Sequence, residues 1–165
     1  MTPADLLARL AELAGSALRD GQVRLGHATA LAERTALADL LRVCRDDAAL
    51  RFDMLMDLTA VDYLTYPGRE QAPRFEVVYH LYSVSHNHRL RVKVEVDEDD
   101  PVVPSAVPLW PIANWFEREV WDMFGIRFAG HPDLRRLLLY EEFVGHPLRK
   151  DYPVNRRQPL VGPRN

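Results

Sequence analysis

The chain predicts an α+β fold: a two-layer module with a mixed, mainly antiparallel sheet covered by helices on one face, then an extended C-terminal arm. Three observations carry this. Apolar residues repeat at helical spacing in two early segments. Later segments alternate apolar and polar residues, as half-buried strands do. Residues 127–165 show no sustained period of either kind.

The elements follow in order. Thr2 can cap a helix with Pro3 at its first position and Asp5 at its third. Leu6, Leu10, Leu13 and Ala17 continue it at helical spacing, which predicts a helix to about Ala17. Asp20-Gly21 reads as a turn, and a short strand is expected between Gln22 and Leu31. Leu37, Leu40, Leu41 and Cys44 mark a second amphipathic helix closing near Asp46-Asp47. Cys44 lies on its core stripe, as an inert buried thiol would. Phe52 to Leu58 is a largely apolar strand, and Thr65-Tyr66-Pro67-Gly68 begins a loop. Phe75, Val77, Tyr79 and Leu81 form one face of a further strand. Leu90, Val92, Val94 and Val96 do the same in the next. Ser85-His86-Asn87-His88 is the hairpin turn between them. The acidic run Asp97-Glu98-Asp99-Asp100 reads as a solvated turn. Pro101, Pro104, Pro108 and Pro111 exclude a helix after it and predict a stiff extended connector.

Composition narrows the function. A length of 165 residues gives one domain with room for a core. A net charge of −3 argues against general nucleic-acid binding. One cysteine excludes an intramolecular disulfide and is too few for a four-cysteine iron–sulfur cluster. The N-terminus lacks the basic and apolar regions of a signal peptide. No apolar run approaches the ~20 residues of a membrane span, so a membrane link is expected only through a partner. The charge is uneven. Residues 1–126 hold 13 Lys/Arg and 20 Asp/Glu, and residues 127–165 hold 8 and 4. This divides the chain into an acidic module, 1–126, and a basic arm, 127–165. Leu137, Leu138, Leu139, Tyr140, Phe143 and Tyr152 are costly to leave in water. They favour an arm laid on another protein over a disordered tail. Such an arm would be mobile in the free chain and ordered when docked.

The densest constellation is Glu117-Arg118-Glu119-Val120-Trp121-Asp122-Met123-Phe124-Gly125-Ile126. At about 100° per residue, Ile112, Phe116, Val120 and Met123 share one helical face. Glu119 falls within it. A carboxylate there needs a cation, which predicts pairing of Glu119 with Arg127, Arg135, Arg136 or a partner's arginine. Arg118 and Asp122 are four residues apart and can pair with each other. Glu117 and Glu119 point in different directions, which argues against an acid–base pair of the glycosidase kind. His131, Asp133 and His146 match no standard zinc spacing. No dinucleotide fingerprint, phosphate-binding loop or nucleophile stands out. The residues thus assign no catalytic, cofactor or metal site and describe one member of a larger assembly.

The run from Glu117 to Ile126 resembles the signature of the 30 kDa subunit family of respiratory complex I, the bacterial form of which is NADH-quinone oxidoreductase. The likeness continues through Phe128-Ala129-Gly130-His131-Pro132-Asp133-Leu134-Arg135-Arg136-Leu137-Leu138 and Gly145-His146-Pro147-Leu148-Arg149-Lys150-Asp151-Tyr152-Pro153. Phe52 to Tyr63 and Phe75 to Ser83 agree too, so it covers roughly residues 28–155. The resemblance implies a non-redox structural subunit in the peripheral arm of proton-translocating NADH:quinone oxidoreductase. FMN and iron–sulfur clusters would lie in partner subunits. The implied partners are the 49 kDa-type subunit, which helps form the quinone site, and the neighbouring iron–sulfur subunits. The implied location is peripheral, on the cytoplasmic face of the bacterial inner membrane. The docking and structural signature would comprise Glu117, Arg118, Glu119, Asp122, Phe124 and Gly125. It would continue with His131, Pro132, Asp133, Arg135 and Arg136, then His146, Pro147, Leu148, Arg149, Lys150 and Asp151. Many members continue well past the Pro153 equivalent, so contacts of a longer tail do not carry over. An equivalent subunit of a membrane-bound nickel–iron hydrogenase-type complex is the alternative within this likeness. A free hydrolase using Glu117 and Glu119, or a stand-alone binding module, are the alternatives outside it.

Overall fold

The structure, a computed structural model, describes residues 1–162. Helix α1 (Pro3–Ala14) opens with a complete capping box, in which Thr2 and Asp5 satisfy each other's backbone N–H groups. It ends at Gly15 rather than running on to Ala17, and residues 15–17 form a single 3-10 turn. Strands β1 (Leu18–Arg24) and β2 (His27–Ala32) then form an antiparallel hairpin. This corrects the expected turn at Asp20-Gly21 and the single short strand after it. Gly21 pairs with Ala30 inside the ladder, beneath the side chain of Leu7. The turn lies instead at Leu25-Gly26, whose φ values of 51° and 76° suit a two-residue hairpin. Leu25 gave no warning, because leucine rarely takes such a φ.

Helix α2 (Leu37–Asp46) buries Leu37, Leu40, Leu41 and Cys44, as its spacing predicts. Burial pushes the Cys44 thiol far above its ordinary pKa, which leaves it unreactive. Strands β3 (Met54–Asp62), β4 (Phe75–Ser83) and β5 (His88–Val96) follow. The first starts later and runs further than the expected Phe52–Leu58, since its pairing with β4 extends to Asp62. The sheet order is β1-β2-β5-β4-β3, with β2 and β5 parallel and every other pair antiparallel.

One face of this sheet carries Ala28, Ala30, Leu58, Ala60, Phe75, Tyr79, Val92 and Val94. These join Leu6, Leu10, Leu40 and Leu41 of the first two helices in one continuous core. The opposite face has no helix over it among the described residues. Strand β6 (Val102–Pro104) follows the acidic turn, and turns over residues 107–112 carry the proline connector to helix α3 (Ala113–Phe124). Trp110 Nε1 donates to the Phe52 carbonyl and pins that connector to the core. Strand β7 (Arg127–Ala129) pairs in parallel with β6, so these three residues belong to the module and the arm starts after them.

Candidate functional site

Helix α3 is the element on which the site is built. Its buried stripe is Ala113, Glu117, Val120 and Phe124, which packs toward β3 and the core. Ile112 and Trp115 are about half exposed, and Glu119 is exposed with them. The core stripe is therefore rotated from the one drawn through the bulky residues Ile112, Phe116, Val120 and Met123. The physical reason lies in Ser105 and Ala106. They present two donors to one side of the helix, and that is where an acid can be buried.

Glu117, not Glu119, is the buried carboxylate. It is fully buried and accepts from Ser105 Oγ at 2.7 Å and from the Ala106 N–H at 2.6 Å. No cation pairs with it among the described residues. Burial pushes its pKa up to about 7, with the two hydrogen bonds acting in the other direction. The fully buried Tyr79, whose hydroxyl has no hydrogen-bond partner among the described residues, feels this charge and is pushed well above the ordinary phenol value, chiefly by its own burial. The expected pairing of Glu119 with Arg127, Arg135 or Arg136 is thus corrected: Glu119 is exposed and has no ion pair among the described residues.

The opposite side of α3 is covered by the arm. Asp122 is 1% exposed and accepts the backbone N–H groups of Leu137, Leu138 and Leu139 at 3.1, 2.9 and 2.9 Å. It also takes a 2.7 Å ion pair from Arg136 Nη1. Burial alone would raise its pKa. The three amides and the guanidinium outweigh burial and hold it below the usual carboxylate range. Arg118 does not pair with Asp122. It donates to the carbonyls of Arg135 and Arg136 at 3.1 and 3.0 Å and lies 5.0 Å from the Trp115 ring centre. Arg118 and Asp122 bind carbonyls and amides of one neighbouring strand of chain, so each leaves the other for a better fit.

A second set of anchors follows Gly145. His146 Nδ1 lies 3.0 Å from the Asp122 carbonyl, the Leu148 N–H donates to the Met123 carbonyl, and Arg149 Nε donates to the Phe124 carbonyl at 2.6 Å. The last carbonyls of α3, which helix geometry leaves open, are thereby satisfied by the arm. Gly125 closes the helix at φ 78°. A Cβ there would stand 2.6 Å from His146 Nε2 and 2.8 Å from Arg149 Nη2. Gly125→Ala is expected to cost roughly 2–3 kcal/mol, from a left-handed backbone plus displaced arm anchors. Thermal melting should show a Tm several degrees lower; an unchanged Tm would refute this reading of the close approach.

The arm then reaches the end of β3. The Lys150 N–H donates to Asp62, and Arg74 joins Asp62, Glu98 and Asp151 at 2.8, 2.5 and 2.8 Å. Asp62, Arg74, Ser105 and Ala106 were not singled out from the sequence. Of these only Asp62 lies in one of the runs whose residues carry the family likeness; the others fall in the stretches between those runs. His131 contacts the Asn114 carbonyl and accepts from the Asp133 N–H. Arg135 pairs with Asp133 at the surface, and Pro132 and Leu148 are exposed. Pro147 is half-buried. His131 and His146 serve different carbonyls of the helix. Among the described residues no group of three His, Cys, Asp or Glu could hold a metal ion.

Arg118, Asp122, Arg136, His146 and Arg149 of the signature thus bind the arm to α3, while Glu117 ties the helix to the connector before it. Residues 30–158 match the family described as the respiratory-chain NADH dehydrogenase 30 kDa subunit. The chain belongs to this family. The resemblance read from the signature is borne out, and with it the reading as a subunit of NADH:quinone oxidoreductase. The corresponding NADH-quinone oxidoreductase subunit of Caulobacter vibrioides is 56% identical over 136 residues, covering 79% of this chain and 66% of that protein. Its counterpart in Hyphomonas neptunium is 50% identical over 150 residues, covering 91% and 71%.

Among solved structures, the trypsin-resistant fragment (1-134) of Nqo5 matches with TM-score 0.67 and 36% identity, over 80% of this chain and 99% of that one. A chain of the membrane-bound sulfane sulfur reductase, an archaeal respiratory membrane complex, matches with TM-score 0.76 and 25% identity. It covers 92% of this chain and 86% of its own. These likenesses bear out the α+β fold. They give the hydrogenase-type alternative no better support than before. Among the described residues no helix is long and apolar enough to cross a membrane.

Proposed function

We propose that this chain is a non-redox structural subunit of the peripheral arm of proton-translocating NADH:quinone oxidoreductase. It would dock on the 49 kDa-type subunit and the neighbouring iron–sulfur subunits. FMN and the clusters would sit in those partners, and this chain would hold none. Its link to the membrane, on the cytoplasmic face, would run through the complex.

One observation carries the reading. Six polar groups of the signature, Glu117, Arg118, Asp122, Arg136, His146 and Arg149, are bonded within the chain, while apolar side chains of the same region face outward. Leu138, Val144 and Leu148 are each more than half exposed, beside the half-exposed Trp115 and Ile112. A free enzyme would aim its charges at a cleft; a docking subunit spends them on its own frame and offers apolar surface to a neighbour. Burial of such surface is worth roughly 25 cal/mol per Å². The arm is held to its own module as far as Asp151, so a partner would find it largely positioned. That the related Nqo5 yields a trypsin-resistant fragment supports a robust module with a more accessible continuation.

Native purification through a tag on this chain tests the proposal. Subunits carrying flavin and iron–sulfur clusters should co-purify with NADH:quinone activity. Recovery of the chain alone, or of hydrogenase-type partners, would overturn it.

A further inference from the structure

The face of the five-stranded sheet that carries no helix among the described residues divides into two unlike halves. Toward the end where the arm lies, charges neutralise one another. Lys93 pairs with Glu76 at 2.7 Å, Arg69 with Glu95 at 2.8 Å and with Glu76 at 3.5 Å, and Arg19 with Glu95 at 3.0 Å. Tyr63 adds a hydroxyl to Glu76. This half reads as a closed ion-pair lattice.

The other half is not closed. The register sets Thr29, Arg91, His80 and Asp57 side by side across β2, β5, β4 and β3. Arg89 pairs with Tyr82 toward the free end, its guanidinium 5.0 Å from the ring centre. His27, Met56, Asp57, His80, Arg89 and Arg91 line a concavity of about 340 Å³. Among the described residues neither Arg89 nor Arg91 has a carboxylate partner. Arg91 makes only a 3.5 Å contact with the Thr29 hydroxyl. Asp57, the one acid lining the concavity, stands next to His80 in the register and forms no ion pair among the described residues. Two arginines against one acid leave the lining of the concavity net positive, and burial, with Arg91 against the pull of Asp57, lowers the pKa of His80.

Two arginines two residues apart on one strand project from the same face, roughly 7 Å from each other. That spacing suits two carboxylates or one bidentate carboxylate with a hydrogen-bonding neighbour. The occupant is better matched by a protein segment than by a small anion, because exposed Met54 and Met56 on β3 flank the arginines with apolar surface. Residues 1–126 hold 13 Lys/Arg against 20 Asp/Glu, so this acidic module would disfavour an acidic partner over much of its surface and admit it here. The arm anchors at the other end of the sheet, at Asp62 of β3 and Arg74 beside β4.

We propose that the Arg89–Arg91 concavity is a second docking surface, which takes an acidic segment of another protein chain. It rests on the reading of this chain as one subunit among several, and it adds an interface separate from the arm. The chain would then bridge two neighbours.

A photo-crosslinking residue in place of Arg91, in the assembled complex, tests it. The expected adduct joins another subunit through a peptide carrying at least two Asp or Glu. Arg89→Glu with Arg91→Glu should lower co-purification of that subunit at least tenfold. Reversing the partner's acids to Lys should restore it. Arg89→Gln with Arg91→Gln should weaken it less and remove its salt dependence. Melting of the isolated variants checks that the fold is kept. An adduct with a peptide lacking acids, a lipid adduct, no adduct, or failure of the charge swap overturns the proposal. If the unmodified tagged chain brings down no subunits, the assembly reading fails instead, and the two failures are told apart.

Discussion

Replacing Asp122 by Ala is expected to release the arm from α3, at a cost of roughly 3–5 kcal/mol for breaking a buried, multiply bonded charge. The variant leaves the Arg136 guanidinium and the amides of Leu137, Leu138 and Leu139 without their acceptor. Relief is available, because the arm can peel away and let water take these groups. The loss to the module as a whole is then capped by the free energy with which the arm docks. Global melting should therefore shift less than local probes. Hydrogen exchange at the three leucine amides should rise by orders of magnitude, and trypsin should cut sooner at Arg135, Arg136, Arg149 and Lys150. Asp122→Asn keeps an acceptor but loses the charge, and should fall between. Equal amide protection in Asp122→Ala and the unmodified chain would show that the carboxylate does not hold the arm.

Glu117→Gln is expected to stabilise the chain above neutral pH and to do nothing below about pH 4, where the carboxyl is protonated in both states. The folded pKa of Glu117 is about 7 and its ordinary value is 4.5. Between these values the folded state binds more protons than the unfolded state, so this group's contribution falls as pH rises. The loss begins near the unfolded value and is complete above the folded one, at roughly 3 kcal/mol. The two donors meet different oxygens of Glu117, so Gln keeps its carbonyl for the Ala106 N–H, turns its amide to the Ser105 hydroxyl as acceptor, and has nothing to ionise. Other groups act in different directions. His80, His88 and His146 have lowered values, so their contributions grow as pH rises toward the ordinary histidine range. Asp62 and Asp122 are lowered below 3.8, and their stabilisation is lost only at more acid pH. The difference between Glu117→Gln and the unmodified chain removes these shared terms. Denaturant unfolding across acid to mildly alkaline pH measures it, and a difference that stays flat throughout would refute a buried, ionising Glu117.

The sheet was legible because its strands alternate cleanly. Leu90, Val92, Val94 and Val96 could face only one way, and the helix over Leu37–Cys44 had a single apolar stripe. The β1–β2 hairpin was not legible, because β1 is exposed along most of its length and its turn begins with Leu25 rather than a turn-forming residue. The helix α3 was found, but its rotation was not. Side-chain size pointed to Ile112 and Phe116, whereas the core accepts small Ala113 and hydrogen-bonded Glu117. Whether a carboxylate can be buried depends on donors elsewhere in the chain. Ser105 and Ala106 lie 12 and 11 residues before Glu117, across a proline-rich turn, and helical spacing cannot see them. The arm's path was likewise hidden, since amide and carbonyl groups carry no residue-specific signal.

That last property has a consequence for how this protein can change over time. Asp122 and Arg118 grip main-chain atoms of residues 135–139, and those atoms are the same whatever side chains are attached. Apart from Arg136, which pairs with Asp122, the residues displayed on the outside of that stretch are free of the clasp that holds it. Leu138 can be exchanged for another shape to suit an altered neighbour while the scaffold beneath stays in register. A clasp indifferent to side chains lets the outward surface drift with its partner without putting the fold at risk.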